Sequence, residues 1–229
     1  MQDRVVVITG ASAGIGAALA ELVGKQGGSP VLVARREVPL VEAAGRAGVR
    51  AYPLVGDVTK REDVERVVQA TLARFGHIDA WVNNAGRGIS RMPSELTDAD
   101  IDEMMLVNLK APLYGAQAVL PHFRERGRGH IVNVSSMLGR VPFATIRSAY
   151  SASKHALNSL MANLRMELAA TDPGILVTNV HPGIVATEFG QNAMHGGPDS
   201  RQLPGAQPVD EVAQVIFDVL EHPRADVYT

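Results

Sequence analysis

Tyr150 and Lys154 are the two side chains whose types and spacing most directly suggest chemistry. They stand four residues apart on a predicted helix, so they share one face and lie one turn from each other. A phenol titrates near a pKa of about 10 in water, and a neighbouring ammonium lowers that pKa by stabilising the phenolate. The pair is a candidate for proton transfer, although the same spacing is also typical of an ordinary exposed pair on a helix.

A glycine-rich turn is the second feature with chemical potential. The run from Thr9 to Gly16, T-G-A-S-A-G-I-G, follows an apolar strand and opens a predicted helix. Glycines in such a turn let the backbone approach a pyrophosphate, which the helix N-terminus then stabilises. The spacing departs from the usual G-x-G-x-x-G, so the turn by itself is also compatible with a connection that binds nothing.

Short apolar runs predict the strands that must position these residues. The runs are apolar on successive residues, which is typical of strands buried on both faces of a parallel sheet. Six are predicted, at Arg4 to Thr9, Pro30 to Ala34, Arg50 to Val55, Ile78 to Asn83, His130 to Ser135 and Leu176 to His181. Amphipathic, helix-length segments lie between them, at Ile15 to Gly27, Lys60 to Phe75, Thr97 through Asn108 toward Leu120, and Tyr150 to Ala170. We therefore expect one α/β domain over residues 1–229, with a doubly wound, mostly parallel sheet and helices on both faces.

Two segments depart from this pattern. Residues 184–208 are rich in Gly and Pro after Gly190 and show little periodicity, which favours a substrate loop that acts as a lid. A disordered insertion without a role is the alternative. Asp226 to Thr229 could begin a seventh strand but are too few to complete one, so we expect the C-terminal end to be truncated.

Composition and charge argue against several classes of protein. Lys and Arg number 22 against 24 Asp and Glu, so the basic excess that a non-specific nucleic-acid binder needs is missing. There is no cysteine, and the seven histidines show no metal-ligand spacing, so we expect neither thiol chemistry nor a metal. No apolar run approaches the roughly 18 residues of a membrane span, and no signal peptide precedes the first strand. We expect a cytoplasmic protein with no nucleic-acid or membrane partner.

Five motifs in register give the sequence a resemblance to the short-chain dehydrogenase/reductase family, in its compact, single-domain branch with a Rossmann-type fold. The glycine turn resembles that family's T-G-x-x-x-G-I-G. The other four follow in the family's order: Asn83-Asn84-Ala85-Gly86, Asn108, Ser136 with Tyr150-Ser151-Ala152-Ser153-Lys154, and Pro182-Gly183 with Thr187. The resemblance covers essentially the whole chain, and Tyr150 to Leu168 are most similar to the hydroxysteroid-dehydrogenase-like branch.

The resemblance implies a catalytic set of Asn108, Ser136, Tyr150 and Lys154. Tyr150 would be the general acid in reduction and the base in oxidation, with Lys154 and the positive nicotinamide ring of the oxidised cofactor lowering the pKa of its phenol. Ser136 would hydrogen-bond the substrate oxygen, with Ser135 as the competing choice. Asn108 would join a water-mediated proton relay to Lys154, the alternative being a polar side chain that satisfies helix backbone.

The resemblance also implies a cofactor site at the carboxyl ends of the strands. Asp57 and Val58 would hold the adenine, and Lys154 would bind the nicotinamide ribose. A capping role is also open to Asp57. The full set of expected cofactor-binding residues is Gly10, Ser12, Ala13, Gly14, Ile15, Gly16, Arg35, Arg36, Asp57, Val58, Asn84, Ala85, Gly86, Tyr150, Lys154, Pro182, Gly183 and Thr187.

The end of the second strand predicts which nicotinamide cofactor is preferred. Enzymes for NAD usually carry Asp or Glu there, roughly 20 residues after the glycine turn, to bind the ribose 2′-OH. Here Ala34 stands at that point and Arg35 and Arg36 follow, and guanidinium groups pair well with a 2′-phosphate. We expect NADP(H) to be favoured over NAD(H). The alternative is that both arginines are merely solvated and Glu37 takes the ribose.

The expected reaction is the interconversion of a secondary alcohol and a ketone or aldehyde by hydride transfer, with a small-molecule carbonyl or alcohol as substrate. Apolar residues at the predicted pocket (Met137, Leu138, Val141, Phe143, Ile184, Phe189 and Met194) suit an uncharged substrate. Arg87, Arg140 and Arg147 would favour an acidic one, unless they are solvated charges at the rim. Ser136 and Tyr150 stand 14 residues apart, one more than the family pattern, which predicts an insertion around Arg140 to Arg147 beside the pocket.

Two further expectations concern assembly and alternatives. Relatives usually associate through their two long helices, so we expect a homodimer or homotetramer. A non-catalytic NAD(P)-sensing regulator could keep this fold, but it would have no need of the complete catalytic set. An epimerase or dehydratase would require a longer chain with an added substrate domain.

Overall fold

The computed structural model describes all residues, 1–229, and is organised around one seven-stranded sheet. The strands are β1 (Val5–Thr9), β2 (Ser29–Ala34), β3 (Tyr52–Val55), β4 (Ala80–Asn83), β5 (Gly129–Val134), β6 (Ile175–His181) and β7 (Asp226–Tyr228). Every neighbouring pair is parallel, in the order β3-β2-β1-β4-β5-β6-β7. The chain winds outward in both directions from β1 and β4, which confirms the predicted doubly wound α/β fold.

Seven helices cover the sheet. They are α1 (Gly14–Lys25), α2 (Glu37–Ala47), α3 (Arg61–Phe75), α4 (Asp98–Met105), α5 (Ala111–Arg126), α6 (Ser148–Thr171) and α7 (Val209–Glu221). The sequence analysis did not identify α2 or α7. The sequence of α7 does carry a helical pattern, because its buried residues Val212, Ile216 and Val219 recur at helical spacing.

Two hydrophobic layers hold the helices against the sheet. One contains the buried faces of α1, α2 and α7, including Leu19, Leu40 and Ile216. The other contains those of α3, α5 and α6, including Phe123 and Leu157. Burial on both faces explains why the strand sequences are continuously apolar. The layers leave the carboxyl ends of the strands as the edge that is free for a ligand.

The helix expected from Thr97 toward Leu120 is interrupted. Thr97 caps its start through a reciprocal pair of hydrogen bonds with Asp100. Between α4 and α5 the helix widens into a π turn over Leu106–Lys110, in which the N–H of Ala111 donates to the carbonyl of Leu106, five residues back. Pro112 contributes to this irregularity, because it has no N–H to donate to the carbonyl of Asn108 four residues earlier.

Residues 184–208 form an ordered segment that packs against the rest of the domain. Isolated bridges pair Val185 with Gln207 and Ile89 with Met194. Asp226–Tyr228 form a three-residue strand beside β6. None of the helices combines the length and the apolar character needed to cross a membrane.

Candidate active site

A cavity of about 830 Å³ lies at the carboxyl ends of the strands, over the point where β1 and β4 diverge. It extends from the glycine turn, past Asn84, Ala85 and Gly86, to Tyr150 and Lys154. Pro182, Gly183 and Thr187 line its far wall. Residues predicted from separate motifs are thus brought into one space large enough for a dinucleotide and a small substrate.

The glycine turn has the geometry that close approach to a phosphate requires. Gly10 and Gly14 adopt positive φ angles of 66° and 54°, which disfavour any larger residue. A Cβ at Gly16 would lie 2.6 Å from Nδ2 of Asn84, so the helix and the turn can pack this closely only with glycine there. Helix α1 begins without a side-chain cap and without an acidic residue in its first turn. Its free N–H groups and positive dipole end suit a pyrophosphate.

Two neighbouring segments fix this turn in place. The Nδ2 atom of Asn84 donates to the carbonyls of Thr9 (2.9 Å) and Gly10 (3.2 Å). On the other side of the cavity, a Cβ at Gly14 would lie 3.2 Å from Cγ2 of Thr187, so the loop after β6 reaches the phosphate-binding turn. The turn, the segment after β4 and the loop after β6 therefore form one continuous lining.

Other residues expected to bind the cofactor lie around this cavity without lining it. Ser12 is half-buried in the glycine turn. Arg35 and Arg36 follow β2, are exposed, and form no ion pair. Oδ1 of Asp57 accepts hydrogen bonds from N and Oγ1 of Thr59, so this carboxylate caps a local turn. Val58 packs partly buried against the core layer of α3, α5 and α6.

Tyr150 and Lys154 line the inner end of the cavity; of the two neighbouring serines, Ser135 lines it as well and Ser136 lies behind it, next to Tyr150. Tyr150 and Lys154 lie in the first two turns of α6, and Nζ of Lys154 is 5.8 Å from the centroid of the Tyr150 ring. Nζ donates to the carbonyl of Val134 at the end of β5 (2.9 Å). Ser136 presents its hydroxyl to Tyr150, whereas the buried Oγ of Ser135 has no partner. Of the two serines, the structure places Ser136 beside the phenol.

Burial governs the protonation of both groups. Desolvation raises the pKa of Tyr150 to about 12, against smaller opposing effects of the Ser136 hydroxyl and the Arg147 guanidinium. Desolvation lowers the pKa of Lys154 to about 8. The expected lowering of the phenol pKa by Lys154 is wrong for the protein alone, because the ammonium is directed to the Val134 carbonyl. The phenol is therefore protonated at neutral pH and available as a proton donor.

Asn108 is fully buried in the middle of the π turn. Its Oδ1 accepts from the N–H of Arg87 (3.0 Å), and its Nδ2 donates to the carbonyl of Arg87 (2.9 Å) and to Oγ of Ser153 (3.2 Å). The side chain thus holds the strand-to-loop segment after β4 against α6. The carbonyl of Asn108 is the group that Pro112 leaves without its usual helical donor.

Only three of the seven apolar residues expected at the substrate pocket line the cavity, and Met137 and Met194 are not among them. Leu138, Ile184 and Phe189 line the cavity, and the Phe189 ring packs edge-on against Tyr150 with centroids 5.6 Å apart. Val141 and Phe143 were expected in the pocket but point to solvent, with 50% and 64% of their surface exposed. They lie beyond the short 3-10 turn at Met137–Gly139 that follows β5.

An ion cluster not predicted from the sequence anchors residues 184–208. The buried carboxylate of Asp100 accepts from Nε2 of His195 (2.7 Å), from Arg91 (3.0 Å) and from its partner in the helix cap, Thr97. The Thr97 backbone N–H and His195 hold the pKa of Asp100 well below its usual range. Since Asp100 and His195 are 95 residues apart, no local pattern could have revealed the contact.

Replacing His195 by Asn is expected to loosen this segment. Asn tolerates the positive φ of 62° at this position, but its shorter side chain loses the contact with Asp100. Hydrogen exchange of residues 190–203 should become faster, with a rise in the KM of the substrate, while His222→Asn on the exposed end of α7 serves as the control. Unchanged exchange in His195→Asn would show that the contact does not anchor the segment.

The parallel sheet, the uncapped glycine turn and the buried tyrosine–lysine pair together define a nucleotide-binding oxidoreductase. Comparison with known proteins identifies the family to which this oxidoreductase belongs. Residues 4–196 match the family model described as short chain dehydrogenase, and the chain belongs to the short-chain dehydrogenase/reductase family. The resemblance inferred from the five motifs is confirmed, and the chain is an enzyme of the nicotinamide-dependent type.

Curated relatives support this membership. An uncharacterised oxidoreductase of Staphylococcus epidermidis is 38% identical over 94% of this chain and 92% of its own length. Another, from Bacillus subtilis, is 33% identical over 100% of this chain, which spans 65% of that longer protein. Neither relative's description names a substrate.

Solved structures share the fold over nearly the whole chain. A short-chain dehydrogenase/reductase of Burkholderia phymatum in complex with NAD has a TM-score of 0.91 at 25% identity, covering 99% of this chain and 89% of its own. An alcohol dehydrogenase of Thermococcus sibiricus complexed with 5-hydroxy-NADP has a TM-score of 0.85 at 29% identity, covering 100% and 96%. The two neighbours thus contain different nicotinamide dinucleotides.

Proposed function

We propose that this protein is an NADP(H)-dependent oxidoreductase that interconverts a secondary alcohol and a ketone or aldehyde. The observation that carries the proposal is that Tyr150 and Lys154 line the same cavity as the glycine turn, with Ser136 beside the phenol of Tyr150. The substrate is a small organic molecule, since Leu138, Ile184 and Phe189 give the inner end of the cavity an apolar wall. A homodimer or homotetramer formed through the long helices is part of the proposal.

The cofactor is held by the turn from Gly10 to Gly16 at its pyrophosphate, by Asn84, Ala85 and Gly86 beyond β4, and by Pro182, Gly183 and Thr187 after β6. When bound, the nicotinamide supplies or accepts the hydride. Asp57 and Val58 are assigned to the adenine end because they follow β3 at the same edge of the sheet, and Ser12 to the turn itself.

The chain's own residues manage the proton and the developing charge. In reduction, the protonated phenol of Tyr150 donates to the substrate oxygen, and the Ser136 hydroxyl donates a hydrogen bond to the same oxygen. Lys154 binds the ribose next to the nicotinamide and stabilises the phenolate that remains. Asn108 holds the π turn in position, and its main-chain carbonyl can bind the water through which Lys154 regains a proton.

The preference for NADP(H) rests on Arg35 and Arg36. Both follow β2, carry no carboxylate partner and have free donors for a 2′-phosphate, while no acid stands at the end of the strand. The double variant Arg35→Ala/Arg36→Ala is expected to raise the KM for NADPH by roughly 10- to 100-fold, with far less effect on NADH. Arg50→Ala, which removes an arginine already paired with Asp3, is the control.

The test is turnover of a panel of ketones, aldehydes and diketones with NADPH and with NADH, followed by absorbance. Preferential use of NADPH supports the whole proposal. Preference for NADH would overturn the assignment of Arg35 and Arg36 and leave the reaction class standing. Cofactor binding without turnover of any carbonyl or alcohol would favour the sensing regulator instead.

A further inference from the structure

Arg147 is a charged residue of the cavity that neither the cofactor site nor the proton transfer uses, and it differs from the other two lining arginines, Arg46 and Arg201, which pair with carboxylates. It precedes Tyr150 by three residues, at the start of α6, and lines the cavity. The positive charge of Arg147 stabilises the phenolate of Tyr150, which partly opposes the rise in the pKa of Tyr150 caused by burial. The cation therefore lies within electrostatic range of the proposed proton donor.

The structure gives different surroundings to Arg87, Arg140 and Arg147, the three arginines that the sequence predicted near the substrate pocket. Arg87 pairs with Glu103 (2.8 Å), and Arg140 pairs with Asp226 on the edge strand β7. Neither lines the cavity. The guanidinium of Arg147 forms no ion pair, and its one hydrogen bond runs from Nη1 to the carbonyl of Ile89 (3.0 Å). Most of its five N–H donors are therefore available to a ligand.

The guanidinium lies against Gly88 and Gly197, beside Phe189 at the apolar end of the cavity. A Cβ at Gly88 would lie 3.0 Å from Nη1 of Arg147 and 3.0 Å from Cε1 of Phe189, so the charged group and the ring converge on the same glycine. Phe189 in turn packs on the ring of Tyr150. Burial lowers the pKa of Arg147 from its ordinary value, so the charge is partly desolvated. A partly desolvated cation without a counter-ion favours an anionic ligand.

We propose that the substrate carries a carboxylate that pairs with Arg147, which makes it an oxo acid or hydroxy acid whose apolar body lies along Leu138, Ile184 and Phe189. This inference rests on the proposed function and narrows its substrate class. The carboxylate and the reacting carbonyl occupy neighbouring positions, because Arg147 and Tyr150 are one helical turn apart. A planar guanidinium binds a carboxylate through two parallel hydrogen bonds, which also orients the carbonyl.

The test compares medium-chain oxo acids with their methyl esters, using kcat/KM of the acid divided by that of the ester. The wild type should prefer the acids, and Arg147→Gln should lower the ratio by roughly 10- to 100-fold, the loss expected for a hydrogen-bonded charge pair. Arg147→Lys should restore part of it. Arg87→Gln, whose arginine is already paired, should leave the ratio unchanged. An unchanged ratio in Arg147→Gln, or equal use of acid and ester by the wild type, would overturn the inference.

A binding measurement keeps this inference separate from the proposed function. Pentanoate should raise the melting temperature of the wild-type protein mixed with NADPH, pentanamide should not, and Arg147→Gln should abolish the shift. Reduction of neutral ketones without an acid preference and without a pentanoate shift would overturn the carboxylate site alone. A pentanoate shift lost in Arg147→Gln, in a protein that turns over no carbonyl, would support the site while the proposed function fails.

Discussion

Tyr150→Phe is expected to lower kcat by on the order of 10²- to 10⁴-fold while the fold and the cofactor affinity remain. The substitution removes one oxygen from a buried ring and leaves its packing against Phe189 intact. The lost group is the proton donor, whose pKa of about 12 keeps it protonated across the neutral range. Without it, the charge that develops on the substrate oxygen is met only by the hydroxyl of Ser136.

The measurement is turnover by absorbance, with NADPH binding followed in parallel by fluorescence. Tyr114→Phe is a matched control, since this phenol lies on α5 beneath the guanidinium of Arg61, away from the cavity. Retention of more than about a tenth of the activity in Tyr150→Phe would assign the proton to another group.

Lys154→Met is expected to make the protein more stable and nearly inactive. Nζ is buried with one hydrogen bond and no carboxylate partner, and its pKa falls from 10.5 to about 8. At about 1.4 kcal/mol per pKa unit, the charged lysine destabilises the folded state by on the order of 3 kcal/mol. Loss of the bond to Val134 offsets about 1 kcal/mol, so we expect a net gain of about 2 kcal/mol at pH 7.

The pH dependence identifies the cause of this gain. Below pH 8 the lysine is protonated in both states, and the folded wild type bears the full penalty. Between pH 8 and 10.5 the folded state releases its proton while the unfolded state keeps it, so the wild type gains stability with rising pH. The advantage of Lys154→Met should therefore shrink across this window and reverse above it, where the variant still lacks the bond to Val134, worth about 1 kcal/mol.

Urea unfolding at pH 7, 9 and 10.5 checks this prediction, with Lys110→Met at an exposed position of the π turn as the control. A Lys154→Met variant that is less stable than the wild type at pH 7 would show that burial of the charged lysine does not destabilise the folded state.

The sequence predicted the framework because the sheet depends on local patterns. The first six strands lie within two residues of their expected bounds, since runs such as Val5–Thr9 are apolar on every residue. The order of the catalytic residues along the chain also placed them at one edge, because parallel strands end together. Helix α2 was missed because Pro39 and two flanking charges, Arg36 and Glu37, obscured its pattern.

The details of the site depended on contacts between distant segments. Nothing near Asp100 indicates that His195 will contact it, and nothing in the spacing of three arginines indicates that only Arg147 stays unpaired. The direction of the pKa shift of Tyr150 likewise follows from how deeply the ring is buried, a property of the folded domain. Such features arise only when distant segments pack together in the folded domain.

The π turn at Leu106–Lys110 joins α4 to α5 and sets how far one helix is rotated about its axis relative to the other. One residue in an α-helix corresponds to about 100° of rotation, so removing a single residue there would turn α4 against α5 by that angle. Met104 would leave the interior and Asp100 would swing away from His195, while α5 stayed against the sheet. The register of the π turn therefore determines whether α4 can hold residues 184–208 in place, without affecting how α5 packs on the sheet.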